Sequence, residues 1–209
     1  MHEDVVPRLH DMQFRLIRWD NIWENAGLWQ DYHRLRHDIF VGRRRWYVPS
    51  HQRWEFDQYD NTRALYLIIE RAEECIACVR FIPTIYPYML ENHFPDLMGC
   101  AIPKSSSVWE LTRLGVKREL APKVRRLVLL YLLRSSVLTA LNEGVRTFLA
   151  VAPVGIFTRT FAMNGLPVSI YKDRERCVGG EKLVAAKISF NSRSLISIST
   201  DIYDSYSHL

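Results

Sequence analysis

Charged side chains interrupt segments that are otherwise apolar, and they do so at spacings that suit chemistry. Arg36 and Phe40 lie four residues apart in a helical pattern, so they share one face a turn apart. Trp46 follows, then the run Glu55-Phe56-Asp57-Gln58-Tyr59-Asp60. Arg80 sits inside Val79-Arg80-Phe81-Ile82-Pro83-Thr84, and Glu110 and Arg113 sit inside Val108-Trp109-Glu110-Leu111-Thr112-Arg113. An isolated charge in such strand-like segments is costly to bury, so these groups need partners, and the loop acids are candidates. Spacing alone leaves two readings open: an ion-pair network that pins the loop to a sheet, or a functional site.

Other chemistries lack their signatures. There is no G-x-x-x-x-G-K, G-x-G-x-x-G, H-E-x-x-H or G-x-S-x-G, which weakens NTPase, dinucleotide, zinc-protease and hydrolase readings. The seven histidines show no ligand spacing. Cys75 and Cys78 form one C-x-x-C, but Cys100 and Cys177 supply no second pair. In a flat strand residues three apart face opposite ways, so buried structural thiols are expected rather than a metal or redox pair.

The elements that must position these residues follow from periodicity. Gln13–Trp19 reads as a strand, and Ile22, Ala26, Trp29, Tyr32, Leu35 and Ile39 recur at helical intervals up to Gly42 and Arg43-Arg44-Arg45. A long polar loop runs to about Asn61, a length typical of functional loops. Ala64–Glu70 and Cys75–Pro83 predict a hairpin, Tyr86–Leu97 a short helical or irregular excursion, and Val108–Val116 a further strand. Pro122 opens a long, mostly buried helix that Gly144 closes. Arg146–Ala152 predicts a strand, Pro153–Asn164 a helix stopped by Gly165, and Val168–Lys172 and Glu181–Phe190 two more strands. That order predicts a three-layer α/β/α sandwich around one mixed sheet. No linker divides the chain, so a single domain over 1–209 is expected, with its core at about 13–190 and a Ser-rich tail from Asn191.

The 209 residues are 48% hydrophobic and 24% charged, an ordinary globular composition. The Met1-His2-Glu3-Asp4 start is acidic with no apolar run behind it, and Leu127–Leu133 is too short to span a bilayer, so a cytoplasmic protein is expected. The net charge of +5 is concentrated at Arg113, Lys117, Arg118, Lys123, Arg125 and Arg126, which face a single acid, Glu119. Such a patch suits either a solvated face or an acidic partner.

The pattern Arg36-x-x-x-Phe40-x5-Trp46-x10-Asp57-x-x-Asp60, then Arg80, then Glu110-x-x-Arg113, resembles the motif of the acyl-homoserine lactone (LuxI-type) synthases. Pro83-Thr84, Pro87-Tyr88-Met89-Leu90, Phe94-Pro95 and Val108-Trp109-Glu110 are similar as well. The likeness covers roughly residues 13–190 and is most specific through 116. It implies a fold similar to the GNAT-type N-acetyltransferases, although Lys117-Arg118-Glu119-Leu120-Ala121-Pro122 stands where those carry a Gly-rich pyrophosphate loop. Leu114 departs from the family, many members of which have Phe there.

The resemblance implies a quorum-sensing signal synthase with S-adenosylmethionine and an acyl thioester as substrates and no cofactor or metal. The adenosylmethionine amine attacks the thioester, and its carboxylate then displaces methylthioadenosine to close the lactone. Glu110 is expected to assist the amine, and Arg113 and Arg36 to hold or shape the carboxylate end. Asp57, Asp60 and Arg80 would order that site, with Phe40 and Trp46 packing on the substrate. Because Glu110 and Arg113 are three apart, a shared site requires a β-bulge, expected at Leu111–Thr112. Met89, Thr112, Ala150, Ala152 and Phe157 are the expected acyl-pocket residues, with Phe161 a further wall. Ala150 and Ala152 stand where members preferring 3-oxo chains tend to have Thr, so an unsubstituted, branched or aromatic acyl group is expected. Lys117, Arg118, Lys123, Arg125 and Arg126 would dock acyl-carrier protein or acyl-CoA. No nucleic-acid or membrane partner is expected, and the chain should be a monomer or weak dimer. The alternatives are a CoA-dependent N-acyltransferase with another amine acceptor and a non-catalytic nucleic-acid-binding protein.

Overall fold

The computed structural model describes residues 11–171 and 174–207. Strand β1 (Met12–Ile17) leads into helix α1 (Ala26–Arg36), which continues as a wider π-helical turn over His37–Arg43. A two-stranded ribbon, β2 (Ser50–His51) and β3 (Trp54–Glu55), lies within the polar loop. The hairpin β4 (Leu65–Arg71) and β5 (Glu74–Pro83) follows, then short helix α2 (Met89–His93) and β6 (Val108–Val116). Helix α3 (Pro122–Asn142) precedes β7 (Thr147–Ala152) and a helical stretch that begins with α4 (Val154–Ile156) and ends at Asn164. β8 (Val168–Ile170), β9 (Arg176–Val178), β10 (Glu181–Ser189) and α5 (Ser192–Ser207) complete the order.

The main sheet runs β1-β4-β5-β6-β7-β10-β8, with β9 pairing β10. Every neighbouring pair is antiparallel except β6 and β7. That parallel pairing spans only Val108–Glu110 against Thr147–Leu149, so the two strands part beyond Glu110. One face of the sheet packs on α3 through Leu67, Val79, Phe81, Leu111 and Phe148, and Ile198 and Ile202 of α5 join this core. The other face packs on α1 through Tyr66, Ile68, Cys78 and Ile82 against Tyr32, Leu35, Ile39 and Phe40. This is the expected α/β/α sandwich. Among the described residues no helix is long and apolar enough to cross a membrane.

Two expectations change, and one falls outside the described residues. The Ser-rich tail forms helix α5, because Ile198 and Ile202, one turn apart, bury against the core, and Ser199 accepts a hydrogen bond from Arg134 Nε at 3.1 Å. Lys172, the expected end of β8, lies outside the described residues. Cys75 and Cys78 share the α1 face rather than opposite faces. The cause is a bulge: Ile69 pairs Ala77 while Glu70 pairs Cys75, so Ile76 is an extra residue that restores the phase.

Candidate active site

A closed ring of six charges lies on the α1 face of the sheet. Arg36 Nε donates to Glu55 at 2.5 Å, and its Nη1 donates to Asp60 at 2.8 Å and to the Tyr32 hydroxyl at 2.9 Å. Arg80 binds Asp57 with both Nη atoms, at 2.6 and 3.0 Å, and reaches Asp60 at 2.9 Å. Arg113 donates to Glu55 at 2.9 Å and to Asp57 at 2.8 Å. Each acid thus bridges two arginines, and each arginine bridges two acids. Charge cancels around the circuit, which makes six ionised groups tolerable in a dry layer.

Local structure delivers each member. The ribbon turn at Gln52 and Arg53 has positive φ at both residues, 47° and 65°, and sets Glu55 beside α1. Buried His33 contacts the Glu55 carbonyl through Nδ1 at 2.7 Å; burial and the Arg36 charge hold its pKa below the usual range. Asp60 caps the Asp57 amide at 2.8 Å, and Asp57 caps that of Tyr59 at 2.9 Å, so the loop's carboxylates order their own backbone.

Arg113 joins the ring through a bulge found two residues beyond the expected Leu111–Thr112. Arg80 pairs Thr112 and Cys78 pairs Gly115, so Arg113 and Leu114 together oppose Val79. Arg113 adopts φ 56°, a left-handed conformation uncommon for a non-glycine residue. The extra residue puts Glu110, Thr112, Arg113 and Gly115 on the α1 side and leaves Leu111, Leu114 and Val116 facing the α3 core. Gly115 lets Ile39 pack closely there: a Cβ would stand 2.4 Å from Ile39 Cδ1 and push the tip of that side chain aside.

Glu110 is buried but outside the ring. Its carboxylate accepts backbone N–H groups from Met89 at 3.0 Å and Leu90 at 2.6 Å, at the start of α2. Burial pushes its pKa up to about 7, against those two bonds and the Arg80 charge. Burial also pushes Asp57 and Asp60 upward. The adjacent arginines and their hydrogen bonds together outweigh it, Arg80 with Arg113 at Asp57 and Arg80 with Arg36 at Asp60, and both stay below the ordinary carboxylate range.

Aromatic residues cover the Arg113 end. Phe40 lies under the guanidinium at 5.4 Å, and Trp46 stacks on Phe40 at 5.3 Å. Arg36 has no exposed surface, and its Nη2 has no acceptor among the described residues. Arg113 retains slight exposure, and its Nη1 makes no hydrogen bond among the described residues.

The expected acyl-pocket residues divide between the two faces. Ala150, Phe157 and Phe161 belong to the α3-side core with Ala152 packed against it, while Met89 packs on the α1 side. Thr112 accepts a hydrogen bond from Arg80 Nε at 3.1 Å. Of the basic set, Arg118, Lys123 and Arg126 are exposed, Arg125 is partly buried, and Lys117 pairs with Glu74. Glu55 stood within the loop acids but outside the expected site; an acid two residues before Asp57 on an alternating ribbon was its only signal. Among the described residues no cluster of three His, Cys, Asp or Glu side chains is placed to hold a metal ion.

The sequence model of the autoinducer synthases matches residues 20–196. The chain belongs to the autoinducer synthase family. It is 32% identical to the acyl-homoserine-lactone synthase of Ralstonia nicotianae over 78% of this chain and 82% of that one. Against the synthase of Aeromonas hydrophila the identity is 29%, over 83% and 86%. Among solved structures it resembles BjaI, a CoA-dependent acyl-homoserine lactone synthase solved with SAM and isopentyl-CoA. That match has a TM-score of 0.83 and 25% identity, covering 91% of this chain and 89% of BjaI. An N-acyl amino acid synthase from uncultured soil microbes, FeeM, shares the fold alone, at TM-score 0.57 and 9% identity over 85% and 90% of the two chains. The family is one of acyltransferases, and the fold expectation holds with it.

Proposed function

We propose that this synthase transfers an acyl group from a thioester to the α-amine of S-adenosylmethionine and then closes the homoserine lactone with release of methylthioadenosine. The observation that carries the reading is one unpaired buried carboxylate, Glu110, on the same strand face as an anchored arginine, Arg113.

An α-ammonium has a pKa of about 8, so a carboxylate at about 7 is a matched acceptor for its proton near neutral pH. In the first step the freed amine forms the C–N bond at the thioester carbonyl, the C–S bond breaks, and the thiol leaves with a proton. In the second, a carboxylate oxygen attacks the carbon bearing the sulfonium. That C–S bond breaks, and methylthioadenosine departs as a neutral thioether. Arg113 Nη1 holds the carboxylate, while Phe40 and Trp46 form an apolar wall. Arg36 acts through the ring, because it has no exposed surface of its own. Holding both reacting ends in one small site supplies much of the rate of ring closure.

The thioester enters where β6 and β7 part, beside the arginines at the start of α3. Acyl-CoA and acyl-carrier protein both present phosphate or acidic groups to Lys117, Arg118, Lys123, Arg125 and Arg126. The isopentyl-CoA bound by BjaI supports the former. Ala150, Ala152 and Phe157 offer an apolar lining without a hydroxyl, which suits an acyl chain lacking a 3-oxo group. The test is methylthioadenosine release from adenosylmethionine with a panel of acyl-CoA and acyl-carrier thioesters. No release with any donor would refute the reading, and a rate with carrier that ignores salt would refute electrostatic docking.

A further inference from the structure

Glu181 opens β10, one residue past the Gly179-Gly180 turn, whose φ values are 57° and 81°. β10 pairs β7 through Val184 and Ala152, so Glu181 lies beyond the C-terminal end of β7. That is the open end of the split, because β6 and β7 cease pairing at Glu110 and Leu149. Its carboxylate accepts the Trp46 indole N–H at 3.0 Å and Arg44 Nη1 at 3.2 and 3.3 Å. Arg44 also stands over the Trp46 ring at 5.2 Å. A continuous stack therefore runs from Arg44 through Trp46 and Phe40 to Arg113, and Glu181 fixes its outer end from the far side of the split. Gly179 suits the turn through its φ of 57° rather than through space, since a Cβ there would make an ordinary contact 3.9 Å from Trp46 Cδ1.

We infer that Glu181 is a positioning residue: it bridges the mouth of the β6–β7 split and holds Trp46 as a wall of the adenosylmethionine site. The inference rests on the reading of Phe40, Trp46 and Arg113 as that site. Trp46 alone would hinge about its side-chain torsions, and an indole N–H with no acceptor favours rotation toward solvent. The carboxylate removes that freedom, and Arg44 keeps it aimed.

Steady-state methylthioadenosine release tests it, read as separate KM and kcat values for adenosylmethionine. Glu181→Ala should raise KM about tenfold, as loss of a charge-assisted hydrogen bond implies, with kcat changed far less. Glu181→Gln keeps an acceptor for the indole and should stay within about threefold of the parent. Trp46→Phe, which keeps the stack but lacks the N–H, should make a second change at Glu181 silent. Glu181→Ala with an unchanged KM, or with effects that add fully to those of Trp46→Phe, would overturn the bridge. If Trp46→Ala also leaves KM unchanged, the site assignment itself fails. A thermal melt of each variant separates these outcomes from loss of folded protein, which lowers kcat and leaves KM alone.

Discussion

Glu110 and the carboxylates of the 55–60 loop share one face of one sheet, and all are buried, yet they sit in opposite electrostatic states. Glu55, Asp57 and Asp60 each touch two guanidiniums. Glu110 has only two backbone N–H groups. Two N–H dipoles do not repay the lost hydration of a charge as a guanidinium does, so Asp57 and Asp60 are held down while Glu110 rises to about 7. The ring is architecture, locking loop, helix and strand together. The lone carboxylate is free to exchange a proton at neutral pH. Arg36 and Arg113 share Glu55 and each keeps one guanidinium nitrogen outside the circuit, but Arg36 is fully buried whereas Arg113 retains some exposure.

The sharpest way to break this contrast is Glu110→Gln, which removes the proton acceptor and leaves the ring intact. Methylthioadenosine release should fall by roughly 10²–10⁴-fold, the usual worth of a general base. The ascending limb of the rate–pH profile near 7 should vanish with it, and a variant that retains that limb would reassign the base. Glu55→Ala attacks the other side of the comparison. It leaves Arg36 and Arg113 short of a counter-charge and should cost about 3–5 kcal/mol in urea denaturation. A loss below about 1 kcal/mol would mean that the ring is not a structural unit.

Stability against pH separates the two regions by sign. Glu110 titrates higher in the folded state than the ordinary 4.5, so its burial costs nothing below about 4.5. The cost grows as pH rises to about 7 and is complete above it. Parent minus Glu110→Gln stability should therefore fall across that window by on the order of 2–4 kcal/mol, measured by denaturation at fixed pH. The ring aspartates run the other way: their contribution is full above the ordinary 3.8 and is lost as pH falls through their depressed values. A parallel fall in both windows would contradict the contrast. The smallest effect belongs to the exposed Arg15–Glu70 pair, at 2.7 Å with Arg15 45% exposed. Arg15→Ala should change stability by less than about 1 kcal/mol, and less again in high salt.

The order of strands and helices was legible because hydrophobic periodicity is a local property, and the hairpin, the long α3 and the closing glycines appear where that pattern places them. Five of the six ring residues were legible too: Arg80 and Arg113 as charges that apolar strands could not bury alone, Asp57 and Asp60 as their candidate partners, and Arg36 through the family resemblance. The sequence by itself determined that those charges must find one another, since an unpaired charge in β5 or β6 is too costly to keep. Only the tertiary structure decided who pairs with whom. It closed Glu55 into the circuit, turned Arg113 inward through a bulge at Arg113–Leu114, and brought Cys75 and Cys78 to one face through another at Ile76. It also placed Glu181 against Trp46 from 135 residues away. The physical reason is that a bulge shifts facing by one residue without changing composition. Pairing across the sheet depends on that phase, which no local pattern records.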